Sequence, residues 1–172
     1  ESPPYRETSI ERTGQSDVHR VVDHLQPDFA VHLTFATPEE MQRLAEAGIP
    51  GVCCPRNHAV IGLGIPRFDL MLEAGMNVAI GTDNVILASP DPLAEIQFAS
   101  RVIRALRADP SFPTASEMLK MITMNPARIL GVDHEPTYRY CLVCRHNELH
   151  WSTRTYIDLD KPGNLFTWDQ YS

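Results

Sequence analysis

The chain has 172 residues, of which 43% are apolar, and a formal net charge of −7. This length corresponds to about one domain, and the apolar fraction supports a hydrophobic core, which argues against intrinsic disorder. The acidic balance and the lack of Lys/Arg runs argue against nucleic acid as a partner, and no apolar stretch approaches the ~20 residues of a membrane span.

The arrangement of the cysteines indicates whether the protein works in a reducing or an oxidising compartment. Cys53 and Cys54 are neighbours within an apolar run, which is more typical of a buried strand than of a disulfide bridge. Cysteines of this kind predict a reducing, cytoplasmic setting, and the first residues do not show the pattern of a signal peptide. Because the first residue is Glu1 and not Met, we expect the chain to be a piece of a longer protein.

Strands and helices alternate in the first half of the chain. Ser16 is placed as the N-cap of one helix, and Thr37 and Glu40 form the capping box of the next. In chain order, the predicted elements are a helix over 16–25, a strand from 28, a helix over 38–47, a strand over 49–55, a loop over 56–65, a helix over 66–75 and a strand over 77–83.

The predicted strands are apolar throughout, as expected for parallel strands that are covered on both faces. Each strand–helix unit is about 25 residues long, close to the repeat of a (β/α)₈ barrel. Three parallel strands cannot close a barrel by themselves. Either further strands come from sequence outside this chain, or the sheet is open and of the doubly wound type.

The second half of the chain is first helical and then irregular. A long helix is predicted from Asp91 to about Ala108, and a second helix from Thr114 to about Met124, where Pro126 interrupts it. From Glu135 onward the sequence is polar, aromatic and β-prone, which predicts one or two strands with loops. We therefore expect an α/β domain over residues 1–134 and a poorly defined tail over residues 135–172.

Polar residues follow all three predicted strands. His32 lies at the end of the first strand, Arg56, Asn57 and His58 follow the second, and Asp83 follows the third. The carboxyl ends of parallel strands share one rim, where ligands bind. An Asp that ligates a divalent ion and a His that accepts a proton from the attacking water would suit metal-assisted hydrolysis.

Structural roles are open for each of these residues. A single histidine at a strand end is often a hydrogen-bonded structural residue, Asp83 could be a turn former, and Arg56 could be a surface charge. Their coincidence on one predicted rim is what favours a site.

The stretch from Asp28 to Gly131 resembles the metal-dependent amidohydrolase superfamily, in the branch of cytosine, guanine and adenosine-type deaminases. The resemblance rests on "VHLTFATPEEMQRLAEAGI", "VCCPRNHAVIGLGIPRFDLMLEAGMNVAIGTDN" and "MNPARILG". It implies a partial (β/α)₈ barrel, approximately strands six to eight with their flanking helices. The tail would be a remnant of the small β-domain of the family.

The resemblance also implies roles for individual residues. Asp83 would ligate the catalytic metal, Zn²⁺ or Fe²⁺, and orient the water, and His32 would polarise the water, shuttle protons or ligate the metal. Residues proposed to face the substrate are Arg56, Asn57, His58, Asn84 and Ser89. Glu1 matches the acid of a His-x-x-Glu motif at the end of strand five, although an ordinary exposed terminal Glu fits equally well.

The family's His-x-His pair and its strand-five histidine are absent from this sequence. The remaining metal ligands are therefore expected upstream of Glu1, and one carboxylate with one imidazole would hold a divalent ion weakly. A second possible metal site is a zinc knuckle in the tail, made by Cys141, Cys144, His146 and His150. The spacing between Cys144 and His146 would make that site cramped.

The sequence thus predicts a metal-dependent hydrolase of C–N bonds, most simply one that deaminates an amino-substituted, nucleobase-like or nucleoside-like heterocycle. A fragment of this length is expected to be inactive alone. The alternative is a non-catalytic fragment or a zinc-knuckle interaction module. The expected partner is a small-molecule substrate, without nucleic acid or membrane, and a homo-oligomer is left open.

Overall fold

The computed structural model describes residues 3–132 and two further strands, Cys141–Arg145 and Glu148–Ser152. The chain divides into two compact units, Glu1–Gly131 and Val132–Ser172, and each is described by itself. The described helices are α1 Pro3–Thr13, α2 Asp17–His24, α3 Pro38–Glu46, α4 Pro55–Val60, α5 Phe68–Glu73, α6 Pro92–Arg107, α7 Ala115–Ile122 and α8 Met124–Ile129. The described strands are β1 Ala30–Val31, β2 Gly51–Cys53, β3 Val78–Ile80, β4 Cys141–Arg145 and β5 Glu148–Ser152.

The first unit is built on a parallel sheet with the strand order β1-β2-β3. Ala30 pairs with Gly51, and Gly51 pairs in turn with Val78. Helices connect the strands, so the predicted α/β architecture with parallel strands is confirmed. The first strand is shorter and more exposed than predicted, since it has only two residues and Val31 is 45% exposed.

Helix starts follow the capping signals of the sequence. The Thr37 hydroxyl accepts from the N–H of Glu40, while the Glu40 carboxylate accepts from the N–H of Thr37 at 2.8 Å. Thr114 and Glu117 form the same reciprocal pair at the start of α7. Both predicted capping boxes are therefore confirmed.

Two predictions about helices were wrong. The segment expected to be a loop after β2 begins with α4, in which Pro55 occupies the first position with its φ already suited to a helix. The break between α7 and α8 lies at Thr123 and not at Pro126, since Pro126 falls in the first turn of α8. The Thr123 hydroxyl donates to the Leu119 carbonyl at 2.7 Å, a bond that competes with the helical backbone pattern.

The hydrophobic core lies between the sheet and the helices that cover it. Val78 and Phe68 are fully buried there, and the remaining members are mainly methionine, leucine and isoleucine side chains. At the outer side of the sheet, the Asn125 amide donates to the Val78 carbonyl at 2.7 Å, so this edge-strand carbonyl is satisfied by a side chain.

A buried ion-pair network ties α5 to α6. The fully buried Asp69 carboxylate accepts hydrogen bonds from Arg67 at 2.9 and 2.8 Å and from Arg107 at 3.2 Å. Arg107 also pairs with the half-exposed Glu73 at 2.6 Å and lies over the Phe112 ring. Burial by itself would raise the pKa of Asp69, but the hydrogen bonds from the two arginines outweigh it and hold that pKa below its ordinary value.

The second unit contains an antiparallel pair, β4 and β5, in which Cys141 pairs with Ser152 and Cys144 with Leu149. The expected one or two strands of the tail are thus present. His146 of the predicted zinc knuckle and the predicted acid Glu1 lie outside the described residues. Within the described part of the chain, every helix is too short or too polar to cross a bilayer.

Ala108 offers a test of the backbone at the end of α6. It adopts a left-handed conformation with φ +53°, which glycine tolerates better than alanine. Because Ala108 is exposed, Ala108→Gly should raise the free energy of unfolding by about 0.5–1 kcal/mol in urea denaturation. The control Ala105→Gly, at an exposed position inside the same helix, should lower it by a similar amount, and the same sign for both would contradict the assignment.

The Asp69 network predicts a specific acid dependence. The pKa of Asp69 is lower in the folded chain than in the unfolded chain, so its stabilisation is complete above the ordinary value of 3.8 and is lost as the pH falls through the folded value. Asp69→Asn should therefore destabilise the chain by about 3 kcal/mol at pH 7 and flatten the acid limb of the urea-derived stability between pH 3 and 5.

The matched control for this prediction is Glu73→Gln, which removes a surface partner of the same Arg107. It should change stability by less than about 1 kcal/mol. Equal effects of the two substitutions would show that burial of Asp69 does not determine its contribution.

Candidate functional site

Three side chains with metal-binding chemistry meet at the carboxyl ends of the parallel strands. His32 directly follows β1, Cys54 directly follows β2, and Asp83 follows β3 after Gly81 and Thr82. One donor atom from each of the three lies within 4.8 Å of the others. His32 and Asp83, which were expected at one rim, therefore lie close together, and Cys54 is a third member of the group.

The donor types fit a divalent transition metal. An imidazole nitrogen, a carboxylate oxygen and a sulfur are the ligand atoms that zinc accepts in proteins. Asp83 is exposed, His32 is half-buried and Cys54 is buried, so the group is open to solvent on the Asp83 side. This arrangement matches a site that keeps room for a further ligand.

Cys54 has a raised thiol pKa. Burial raises the pKa of its thiol to about 11, and the negative charges of Asp83 and Glu95 add to the shift. The thiol is therefore protonated near neutral pH, and a metal would have to displace that proton to bind sulfur.

The backbone turns sharply where the two predicted ligands leave the sheet. His32 and Asp83 both have positive φ, +73° and +53°, and so does Leu33 at +51°. Such conformations are uncommon for residues other than glycine and cost of order 1–3 kcal/mol each. The His32 N–H donates to the Val52 carbonyl at 2.7 Å, which holds this turn against the sheet. The local conformation aims both side chains at the rim.

His58 lies beneath His32 and not on the open rim. It is only 3% exposed; its Nε2 is 2.9 Å from Nδ1 of His32, and its Nδ1 is 2.7 Å from the Thr34 hydroxyl. Burial lowers the pKa of His58, the neighbouring His32 lowers it further, and Asp83 opposes both. The ring therefore bridges Thr34 and His32.

Arg56 is tied to two neighbouring elements. Its backbone N–H donates to the buried Glu95 carboxylate at 3.1 Å, and its guanidinium donates to the carbonyl and the hydroxyl of Ser89, each at 3.3 Å. Burial raises the pKa of Glu95, and the hydrogen bond from Arg56 opposes this only in part. The other oxygen of Glu95 has no hydrogen-bond partner among the described residues.

Asn57 connects α4 to the loop after β3. It is 1% exposed, and its amide donates to the Asn84 carbonyl at 3.3 Å. The same carbonyl accepts from the N–H groups of Leu87 and Ala88, while the Asn84 side chain accepts from Ile86. Of the residues predicted to face substrate, Arg56, Asn84 and Ser89 thus reach solvent, whereas Asn57 and His58 are buried.

Sequence reasoning missed Cys54, Thr34 and Glu95 as members of this region. Cys54 carried a usable signal, because it directly follows a predicted strand just as His32 does. Thr34 and Glu95 carried none, since each reaches the site through a contact with α4 that sequence spacing does not reveal.

Comparison with known proteins identifies relatives of this chain. The sequence model of the Amidohydrolase family matches residues 7–135. The 5-methylthioadenosine/S-adenosylhomocysteine deaminase of Moorella thermoacetica is 36% identical over 110 residues, which cover 63% of this chain and 26% of that protein. The protein of the same name from Thermoanaerobacter pseudethanolicus is 35% identical over 135 residues, which cover 75% of this chain and 31% of that protein.

The solved structures give a consistent result. An adenosine deaminase from Xanthomonas campestris with bound zinc superposes with a TM-score of 0.69 at 29% identity. The match covers 76% of this chain and 31% of that one. The chain thus spans less than a third of the length of each relative described here.

The contact between Asn57 and Asn84 predicts how the rim loop is held. Asn57→Ala should speed hydrogen exchange at the amides of Leu87 and Ala88 by about five- to tenfold, because a net stabilisation of about 1 kcal/mol is lost from the carbonyl to which they bond. In the control Asn84→Ala, the carbonyl remains and only the Ile86 amide should lose protection. Unchanged exchange in Asn57→Ala would contradict the anchoring role.

Proposed function

Since this chain belongs to the amidohydrolase family, we propose that it supplies strands six to eight of a (β/α)₈ barrel in an enzyme that hydrolyses a C–N bond. The strand order β1-β2-β3 follows the chain without reversal, as successive barrel strands do, and the family match favours a barrel segment over a doubly wound sheet. Residues 1–134 would form the barrel segment, and residues 135–172 would belong to a separate β-rich part.

The convergence of His32, Cys54 and Asp83 is the observation that carries this proposal. Each comes from the carboxyl end of a different parallel strand, and their donor atoms lie within 4.8 Å of one another. Barrel enzymes build their active sites at this end of the strands. A chance surface cluster would not be expected to draw one donor from each successive strand end.

We assign His32 and Asp83 as ligands for a divalent metal, Zn²⁺ in preference to Fe²⁺, since the adenosine deaminase with a similar fold contains zinc. When bound, the metal would act as a Lewis acid that activates water for attack. Two ligands hold a metal weakly, so the further ligands of the complete enzyme would come from outside the described residues.

The side chains of this chain would move protons during the reaction. The exposed Asp83 carboxylate would accept a proton from the attacking water, and the His32 imidazole would hydrogen-bond at the same centre. The water oxygen bonds to the ring carbon, the bond from that carbon to the exocyclic nitrogen breaks, and ammonia leaves. The ring carbon ends as a carbonyl, and the adjacent ring nitrogen gains a proton.

The proposed substrate is a small amino-substituted heterocycle of the nucleobase or nucleoside type. The names of the deaminase relatives support this class. Arg56, Asn84 and Ser89, which reach solvent, would contact the substrate directly, and the buried Asn57 would hold the loop of Asn84 in place. The free thiols of Cys53 and Cys54 suit the reducing cytoplasm that we propose as its setting.

Metal titration of the 172-residue chain tests the assignment. Asp83→Ala and His32→Ala should each weaken Zn²⁺ binding by at least about tenfold in calorimetric titrations, because each removes a ligand. Asp28→Ala, an exposed carboxylate that precedes β1 at the opposite end of the sheet, should leave the affinity unchanged. Ammonia release from adenosine, cytosine and guanine by the complete enzyme then tests the reaction.

A contrary result has a clear form. If Cys141→Ser abolishes zinc binding while Asp83→Ala leaves it unchanged, the metal belongs to the tail, and the chain is a zinc-knuckle module. If Asp83→Ala leaves ammonia release by the complete enzyme intact, the catalytic assignment is wrong.

A further inference from the structure

We propose that His58 is a positioning residue that, together with Thr34, fixes the ring and the protonation pattern of His32. This inference rests on the proposed function, because it concerns how His32 is prepared for a metal or a proton. Within the residues described, His58 has no opening to the rim, since it is 3% exposed. It therefore acts through His32 and does not contact the substrate.

The geometry forms a continuous hydrogen-bonded chain of three side chains. The Thr34 hydroxyl is 2.7 Å from Nδ1 of His58, and Nε2 of His58 is 2.9 Å from Nδ1 of His32. The two imidazole rings are tilted by 42° with their centroids 4.6 Å apart. Both nitrogens of His58 are thus engaged, and Nε2 is the nitrogen that His32 retains for a ligand.

Proton counting makes the three groups interdependent. A neutral imidazole carries one N–H, so the chain can run in only two directions. If His32 presents a lone pair at Nε2, its proton sits on Nδ1 and is donated to His58. His58 must then carry its own proton on Nδ1 and donate it to the Thr34 hydroxyl, which accepts.

The proposed function selects this direction. A metal ligand or a general base needs a lone pair at Nε2 of His32, and metal-bound histidines commonly donate their other N–H to a fixed acceptor. In the opposite direction His32 would present an N–H at Nε2 and could not serve as a ligand. Thr34 and His58 therefore determine whether Nε2 of His32 carries a lone pair or a proton.

The supports of His58 are themselves firmly held. His58 lies on α4, whose start is fixed by the bond from the Arg56 N–H to the buried Glu95. The neighbouring Asn57 is anchored to the loop after β3. Because α4 is held at these two points, the ring of His58 has little freedom to follow His32 if His32 moves. His58 acts as a fixed acceptor for a residue whose own backbone is strained at φ +73°.

The test is ¹⁵N NMR of the imidazole rings in the metal-free 172-residue chain. In the wild type, His32 and His58 should both carry their proton on Nδ1. In His58→Phe, which keeps a planar ring but has no acceptor, His32 should shift towards the Nε2–H form or exchange between the two forms. In His58→Gln, whose side-chain oxygen can accept from His32, the Nδ1–H form should be recovered.

Zinc affinity provides the second readout. His58→Phe should weaken Zn²⁺ binding by about 10- to 100-fold, as is typical for loss of a group that orients a metal ligand, and His58→Gln should restore most of it. Thr34→Val, which removes the hydroxyl at nearly constant volume, should release the tautomer of both histidines. This variant keeps the test available if His58→Phe fails to fold.

Two outcomes would overturn the inference. One is an Nε2–H form of His32 in the wild type, and the other is an Nδ1–H form that persists unchanged in both His58→Phe and Thr34→Val. Failure of the proposed function looks different. The tautomers would then respond as expected, while Asp83→Ala would leave zinc binding by the chain and ammonia release by the complete enzyme unchanged.

Discussion

The site depends on where the backbone ladder of the parallel sheet ends. Its last hydrogen bonds run from the His32 N–H to the Val52 carbonyl and from the Gly81 N–H to the Cys53 carbonyl, at 2.7 and 2.9 Å. Beyond these bonds the chain turns out of the sheet. The side chains of His32, Cys54 and Asp83 therefore all start near the carboxyl ends of their strands. A one-residue slip in register would send each of them to the opposite face. The alignment of three short strands therefore fixes the distance between the imidazole and the carboxylate more firmly than any contact between the two groups.

Buried carboxylates hold the surrounding helices, and their environments differ in an instructive way. Asp69 receives three guanidinium hydrogen bonds, which lower its pKa, whereas Glu95 receives one backbone N–H, has only a 3.9 Å ion pair with Arg56 at its other oxygen and has a raised pKa. Both are fully buried, so the number of donors decides the difference. The satisfied acid lies away from the rim and joins two helices. The acid with fewer hydrogen bonds contacts Arg56, which follows β2 at the same strand end as Cys54.

Much of the fold and part of the site could be predicted from the sequence, because their signals are local. Thr37 and Thr114 predict the starts of their helices, because each forms a capping box with a Glu three residues later. Apolar strands with a regular spacing predict parallel pairing. The family resemblance drawn from the motifs is confirmed by the match to residues 7–135. The start of α4 had one local signal, Pro55, but its other stabilising partner, Glu95, lies 39 residues away in sequence. The burial of His58 was missed because its partners, His32 and Thr34, follow another strand.

The turn at His32 has an effect beyond the aim of its side chain. It stops β1 after Val31, so this outer strand of the sheet formed by described residues is only two residues long, whereas the opposite outer strand, β3, has three. Exposed strand edges invite pairing with other chains, and very short edges with a bend at one end are poor templates for it. A strained residue that is placed for chemistry thereby also sets how many residues of β1 a neighbouring strand can pair with, and relaxing that backbone would lengthen this pairing edge as it misdirected the imidazole.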